Sequence, residues 1–171
     1  MSAFNLVSET VVTSPVSGVT ITGLTTEFNV YRLILEEITP VNDNVELRSR
    51  VTTSGSPDSD SNYDCTAEEI KDFTTFGAIS RTNDDYWKFD IKNGTGTSEH
   101  TNAVIHLFNF MNASEFSHIM LEAGFRNHSG NLYGNAGGGV HDVTEANDGI
   151  HFYYESGNIA SGVFRLYSLE K

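Results

Sequence analysis

An acidic stretch in the first half of the chain has the ligand spacing of a calcium-binding loop. Side-chain oxygens fall at positions one, three, five, seven and twelve of this stretch, from Asp58, Asp60, Asn62, Asp64 and Glu69. Alternating oxygen donors that end in a glutamate surround Ca²⁺ in such loops. Position six, however, is Tyr63 where the sharp turn requires glycine, and no helix is expected before the loop. We interpret the stretch as a solvated acidic loop and keep calcium binding as the alternative.

The histidines do not form a metal-binding motif by spacing. Six are present, with neither an HxH nor an HExxH arrangement: His100, His106, His118, His128, His141 and His151. The densest group is His141-Asp142 together with Asp148 and His151. Zinc requires at least three ligands that converge on one point. The sequence therefore predicts no metal and no cofactor, with these side chains facing solvent or a hydrogen-bonding neighbour.

No residue pattern indicates catalysis. The chain has no GxSxG elbow, and Cys65 lies in negatively charged surroundings that raise the pKa of its thiol and weaken it as a nucleophile. The adjacent Glu36 and Glu37 point to opposite faces of a strand, which excludes a glycosidase pair. The glycine-rich segment 134–139 lacks the helix of a phosphate-binding loop and is predicted to be a loop or a bulged hairpin tip. We expect a protein that is not an enzyme, with no catalytic residues.

Four tyrosines mark candidate interaction surfaces, three on the polar phase of their strands and Tyr31 in the segment that is apolar on both faces. The candidates are Tyr31, Tyr86, Tyr153 and Tyr167, and Tyr133 is expected in a loop. Aromatic residues are enriched at subunit interfaces. Aromatic planes beside Asn and Asp also bind sugars. Both readings stay open, with the interface preferred.

Composition excludes several partners. The 171-residue chain carries a net charge of −13, which opposes binding to nucleic acid and to anionic membranes. The single cysteine permits no internal disulfide, and no apolar run approaches the roughly 20 residues that cross a bilayer. The N-terminus lacks the features of a signal peptide.

The elements that must hold these residues are strands. Apolar residues alternate with polar ones in at least six segments, the pattern of half-buried strands. The segment Phe28 to Ile38 is apolar on both faces, which predicts a central strand covered in addition by another subunit. Val11 to Thr22, broken by Pro15 and Gly18, is predicted to be an edge strand.

The predicted fold is all-β: an antiparallel two-sheet β-sandwich of the jelly-roll type in one domain over residues 1–171. One or two short helical turns are added, the first after the capping-box pair Thr66 and Glu69, to about Phe73, and the second over Asn112 to Phe116. Residues 1–10 lack clean alternation and are expected to form an extended arm that docks on another chain.

The C-terminal segment Asp148 to Leu169 contains Ser156-Gly157, Ile159, Gly162 and Leu166-Tyr167 in the pattern SGxIxxGxxxLY. It resembles the last strand of virion proteins of tailed bacteriophages, especially marine and cyanobacterial ones. Tyr31 to Pro40 followed by Val45 to Arg48 looks like the opening hairpin of that family. Ser168 departs from the family, which usually has glycine there.

The resemblance implies a non-enzymatic structural protein of a virus particle, made in the host cytoplasm without a signal peptide. It would decorate the capsid or form part of a tail fibre, bind other virion proteins, and assemble as a homotrimer. The alternative is a lectin-like module of a tail fibre or spike that binds a host-surface glycan.

Overall fold

The computed structural model describes residues 4–73 and 76–169, which form strands and no helix. Within that part of the chain, no helix is therefore long and apolar enough to cross a membrane. The strands are Phe4–Val12 (β1), Val19–Thr22 (β2), Val30–Pro40 (β3), Val45–Thr53 (β4), Ser56–Pro57 (β5), Tyr63–Lys71 (β6), Gly77–Asp84 (β7), Trp87–Asn93 (β8), Thr101–Phe108 (β9), Ser117–Arg126 (β10), Leu132–His141 (β11), Gly149–Tyr154 (β12) and Ile159–Leu169 (β13).

Two antiparallel sheets pack against each other. The larger has eight strands in the order β1-β13-β3-β9-β10-β11-β6-β7. The smaller has the order β2-β12-β4-β5, with β8 also paired to β4. The all-β class and the two-sheet sandwich are confirmed, whereas the jelly-roll connectivity stays a prediction.

The core consists of the residues that the alternation predicts. Inward side chains of β8, β9, β10, β12 and β13 are buried, including Trp87, Ile105, Leu121, Phe152 and Phe164. The outward neighbours on these strands are half-buried or exposed in almost every case. The strand over 28–38 is central, because β3 lies between β13 and β9.

The segment Val11 to Thr22, which contains Pro15, contributes residues to both sheets. β1 ends at Val12 and β2 begins at Val19, and each is an edge strand of a different sheet. The chain crosses between the sheets over Pro15 to Gly18, where a proline costs no ladder hydrogen bond. Residues 4–12 pair with β13 of the same chain, and residues 1–3 of the predicted arm lie outside the described residues.

Both predicted helical turns are wrong. Thr66 lies inside β6, which pairs with β11 on one side and β7 on the other. Tyr63, Cys65 and Ala67 face inward from it, so two ladders of hydrogen bonds and core burial outweigh the local capping signal. Two successive turns replace the second helical turn, over 109–112 and 112–115, closed by Asn112 N–H to Asn109 C=O and by Glu115 N–H to Asn112 C=O.

The glycine-rich segment is a strand, contrary to the prediction of a loop. Gly137 on β11 is paired with Ala67 on β6, and a Cβ atom added to Gly137 would collide with the backbone of Thr66 and Ala67. A Cβ atom on Gly139 would lie 2.6 Å from Cδ1 of Trp87. These glycines permit close approach of neighbouring groups, and none of those at 134–139 has positive φ.

We predict that the C-terminal strand is essential to the core. Phe164 is fully buried and its ring lies 5.6 Å from that of Phe152 in the opposite sheet. Phe164→Ala should therefore lower the free energy of unfolding by about 3–5 kcal/mol in urea denaturation. Val163→Ala, on the outward face of the same strand, is the control and should cost less than about 1 kcal/mol. Equal effects of the two variants would contradict the assignment of the faces.

Gly162 gives a second test of this strand. Its φ is +141°, and an added Cβ atom would lie 2.5 Å from Cδ1 and 3.0 Å from Cα of Ile38. Gly162→Val should therefore overpack the core and strain the backbone, with a cost of at least about 1–3 kcal/mol in the same assay. A Gly162→Val protein as stable as the parent would contradict this account.

Candidate functional site

The residues of the predicted calcium loop do not converge. Asp64 and Glu69 both lie on β6, five residues and about 16 Å apart along the strand. Asp64 accepts a hydrogen bond from the backbone N–H of Asn83, and Glu69 pairs with Lys71 at 2.9 Å. The Asp58 carboxylate accepts the backbone N–H of Asp60, in a turn that Asn62 ends. These residues therefore do not form a single loop around one point, since they belong to a strand and a turn.

Asp58 instead meets a histidine that is distant in sequence. Its Oδ2 atom lies 2.8 Å from Nε2 of His141, which is fully buried at the end of β11. On the other side of the ring, Nδ1 of His141 lies 4.0 Å from Oε1 of Glu145. The spacing of these three residues carries no sequence signal, because two of them come from different loops.

The other members of the histidine group bond elsewhere. His151 contacts the hydroxyl of Thr20 at 2.8 Å, and burial lowers its pKa. Asp148 accepts hydrogen bonds from Thr52 Oγ1 and from the backbone N–H of Gly55.

Cys65 is buried and its Sγ donates to the carbonyl of Lys88 at 3.1 Å. Burial raises its thiol pKa, so the predicted direction is confirmed, with burial as the largest cause.

The tyrosine candidates lie in three different places. Tyr31 is 2 % exposed and its hydroxyl bonds to the segment at Thr25, so its side chain is part of the core and cannot contact a partner. Tyr86 and Tyr153 lie together on the outer face of the smaller sheet, with ring centroids 6.4 Å apart. Tyr167 lies on the outer face of the larger sheet.

Arginines lie over the pair of tyrosines on the smaller sheet. The Arg48 guanidinium is 4.3 Å from the Tyr86 centroid, and that of Arg50 is 5.1 Å from the Tyr153 centroid. Arg50 also pairs with Asp85, and Arg48 with Glu155 at 2.9 Å. The cations are thus neutralised within the chain, which leaves this cluster little charge to offer a ligand.

The outer face of the eight-stranded sheet, which we call the broad face, carries a concentration of exposed apolar residues. Met120 is 60 % exposed at its centre. The other exposed apolar side chains belong to β1, β6 and β11 and are Phe4, Leu6, Val11, Ile70 and Leu132. Half-buried Ile34, Val104 and Phe108 lie between them. Exposed apolar side chains therefore recur across the width of this face, with charged and polar residues between them.

Two shallow grooves lie on the broad face, where glycines leave the backbone without side chains. One, of about 520 Å³, lies where Gly124 and Gly134 face each other across β10 and β11. The other, of about 620 Å³, runs beside Gly138, Met120 and Thr66. No atom lies within 4 Å of a Cβ position on Gly124, so the backbone itself forms the floor.

A polar cleft lies beside the C-terminal end of β10. It has a volume of about 200 Å³ and is lined by Asn44, Asp90, Asn127 and His128 around the side chains of Phe125 and Tyr133. The two rings stack with centroids 5.2 Å apart. Tyr133 belongs to β11 and not to a loop.

One acidic side chain is buried beside the arginine–tyrosine cluster. The Glu46 side chain is wholly inaccessible; its Oε2 accepts a hydrogen bond from Nε of Arg48 at 3.0 Å and lies 3.6 Å from Nζ of Lys88. Oε1 is buried without a hydrogen-bond partner. Burial raises the pKa of Glu46 to about 7, and neighbouring Asp90 adds to the rise. The charged form of this side chain is therefore unfavourable in the folded protein.

Comparison with known proteins does not extend these observations. No protein-family model matches the chain, no curated protein is similar to it, and no solved structure resembles it.

We predict that Glu46 makes stability fall as pH rises. Its pKa is about 7 in the folded state against 4.5 ordinarily, so the folded state binds the proton more tightly between these values. Relative to Glu46→Gln, the wild type should lose up to about 3 kcal/mol of unfolding free energy between pH 4.5 and 7. Denaturant titrations at several pH values measure the difference, with Glu155→Gln as the control that pairs with the same arginine. A difference that is constant with pH would contradict the prediction.

Proposed function

We propose that this protein is a non-enzymatic structural protein that assembles through its broad face, as a homotrimer on a virus particle. The observation that carries the proposal is the number of exposed apolar side chains spread across the broad face, on β1, β6, β10 and β11. The virion context rests on the resemblance of the C-terminal strand to phage virion proteins. Copies of the chain and other virion proteins are its partners.

Charge distribution favours a second copy as the occupant of the broad face. Its outward residues include three arginines, Arg32, Arg126 and Arg165, and five acids, Glu9, Glu36, Asp64, Glu68 and Glu122. With Arg81 of β7, which lines the second groove, these charged side chains sum to only −1 of the net charge of −13. Arg165 forms ion pairs with Glu9 and Glu36, so its charge is already compensated. Repulsion between copies is therefore small when this face is the contact.

Shape gives the broad face parts that are complementary to each other. The β1 end of the broad face presents projecting side chains, among them Phe4, Leu6 and Val11. The opposite half carries the two grooves floored by glycine. A projection on one copy that fits a groove on the next is a head-to-tail contact, which closes into a ring when the rotation permits. A trimer is the smallest such ring.

Charged substitutions on the broad face should dissociate the assembly. Light scattering should give three times the chain mass of 18.8 kDa for the wild type. Met120→Asp with Ile34→Asp should reduce it to the monomer mass, because each buries a carboxylate in an apolar contact. Val41→Asp, at a 46 % exposed position away from the sheet, is the control and should remain trimeric. A strictly monomeric wild type at micromolar concentration would refute the proposal.

Carbohydrate binding is the second candidate function, and the polar cleft favours it. Sites for small ligands typically place a small number of converging polar groups around aromatic side chains. Asn44, Asp90, Asn127 and His128 offer amide, carboxylate and imidazole groups to sugar hydroxyls around Phe125 and Tyr133.

A glycan array with the wild type and Tyr133→Ala tests this candidate. Binding that is lost with Tyr133→Ala, but retained with Tyr86→Ala on the smaller sheet, is expected for a sugar in the cleft. Thermal melts of both variants exclude unfolding as the cause. Wild-type protein that binds no glycan would remove this function and leave the structural one.

A further inference from the structure

Three chain segments that are distant in sequence meet at His141. Asp58 comes from the segment after β5, His141 ends β11, and Glu145 lies in the connection to β12. One ligand atom from each lies within 4.8 Å of those of the other two. His141 is fully buried, while the side chains of Asp58 and Glu145 are 19 % and 30 % exposed.

The contact with Asp58 fixes which nitrogen of His141 carries the proton. An ionised carboxylate only accepts hydrogen bonds, so the 2.8 Å contact requires a proton on Nε2. In the neutral ring, Nδ1 then carries a lone pair. A carboxylate that accepts from one nitrogen while the other ligates a metal is the usual support of a metal-bound histidine.

Nδ1 of His141 has no hydrogen-bond partner although it is buried. It lies 4.0 Å from Oε1 of Glu145, too far for a hydrogen bond, and both atoms are acceptors in this state. Two ligands of a tetrahedral Zn²⁺ ion, each about 2.0–2.2 Å from the metal, are about 3.4 Å apart, so the observed separation is slightly too wide. A small movement of the partly exposed Glu145 side chain would bring the pair to a bonding separation.

The acidic partner is also held in place. The hydroxyl of Thr53 donates to Oε1 of Glu145 at 3.1 Å and lies 3.3 Å from Oδ1 of Asn147. Each of the two facing side chains therefore has its own supporting hydrogen bond: His141 donates to Asp58, and Glu145 accepts from Thr53.

We propose that His141 Nδ1 and Glu145 bind a divalent metal ion of the zinc class, with Asp58 as the residue that orients the histidine. Imidazole nitrogen with carboxylate oxygen suits Zn²⁺ and related transition metals, whereas Ca²⁺ takes oxygen ligands. Water molecules supply the third and fourth ligands that zinc requires, because Glu145 opens to solvent. The ion ties the connection before β12 to the end of β11, and Asp58 attaches the segment after β5 to the same point.

The test uses chelator-treated full-length protein titrated with ZnCl₂, followed by calorimetry and thermal melting. We expect one ion per chain and a rise in Tm by mass action, with no rise for CaCl₂. Glu145→Gln should abolish binding. Asp58→Asn should weaken binding about 10–100-fold while the ion still binds. CoCl₂ in place of zinc gives an absorption spectrum that reports nitrogen and oxygen ligands.

Control variants separate this site from adventitious binding. His118→Gln removes a histidine of the broad face and should leave affinity and stoichiometry unchanged. His141→Gln should abolish binding, and if it fails to fold, the partly exposed Glu145→Gln still decides the matter. Absence of zinc binding by the wild type, or equal binding by Glu145→Gln, would overturn the proposal.

Discussion

The fold depends on the packing of Trp87 between the two sheets. The indole is fully buried, donates its N–H to the carbonyl of Val140 at 3.1 Å and meets the ring of Tyr63 edge-on at 5.2 Å. This packing leaves no room for a side chain at Gly139, whose Cβ position lies against the indole. A bulky core residue on one sheet thus requires a glycine on the other.

The glycines of β11 also shape the surface on the opposite side of the strand. Gly137 and Gly139 are required by inward contacts, whereas Gly134 and Gly138 face outward and leave the backbone bare. The broad face therefore combines shallow grooves with exposed apolar side chains. Because most of the acidic residues lie elsewhere, the chain is strongly charged overall while the broad face carries little net charge.

Two buried ionisable groups are held by different means. Glu46 contacts the cations of Arg48 and Lys88, yet burial dominates and raises its pKa. His141 lies between two carboxylates and keeps one nitrogen without a hydrogen-bond partner. Buried polar atoms without hydrogen-bond partners cost stability. Glu46 and His141, which carry such atoms, both lie where segments distant in sequence meet. A buried polar group that lacks a partner at such a position calls for an explanation other than packing.

The sequence by itself determined the fold class and most of the core, because period-two alternation records which side of a strand faces the interior. Phe164, Leu166, Ile105 and Trp87 are buried as that pattern predicts. The helix expected at Thr66 and the loop expected at 134–139 were wrong for a common reason. Capping residues and glycines are local signals, and the strand ladders on both sides of β6 and β11 override them.

Tertiary structure alone decided the sites. Tyr31 follows the alternation of its strand, but only the packing of β3 at the centre of the larger sheet shows that no partner reaches it. Asp58, His141 and Glu145 come together although 83 residues separate the first two. No spacing rule encodes such a contact, because it arises when two loops close over the end of one strand. The apolar surface of the broad face likewise exists only once eight strands from both ends of the chain lie side by side.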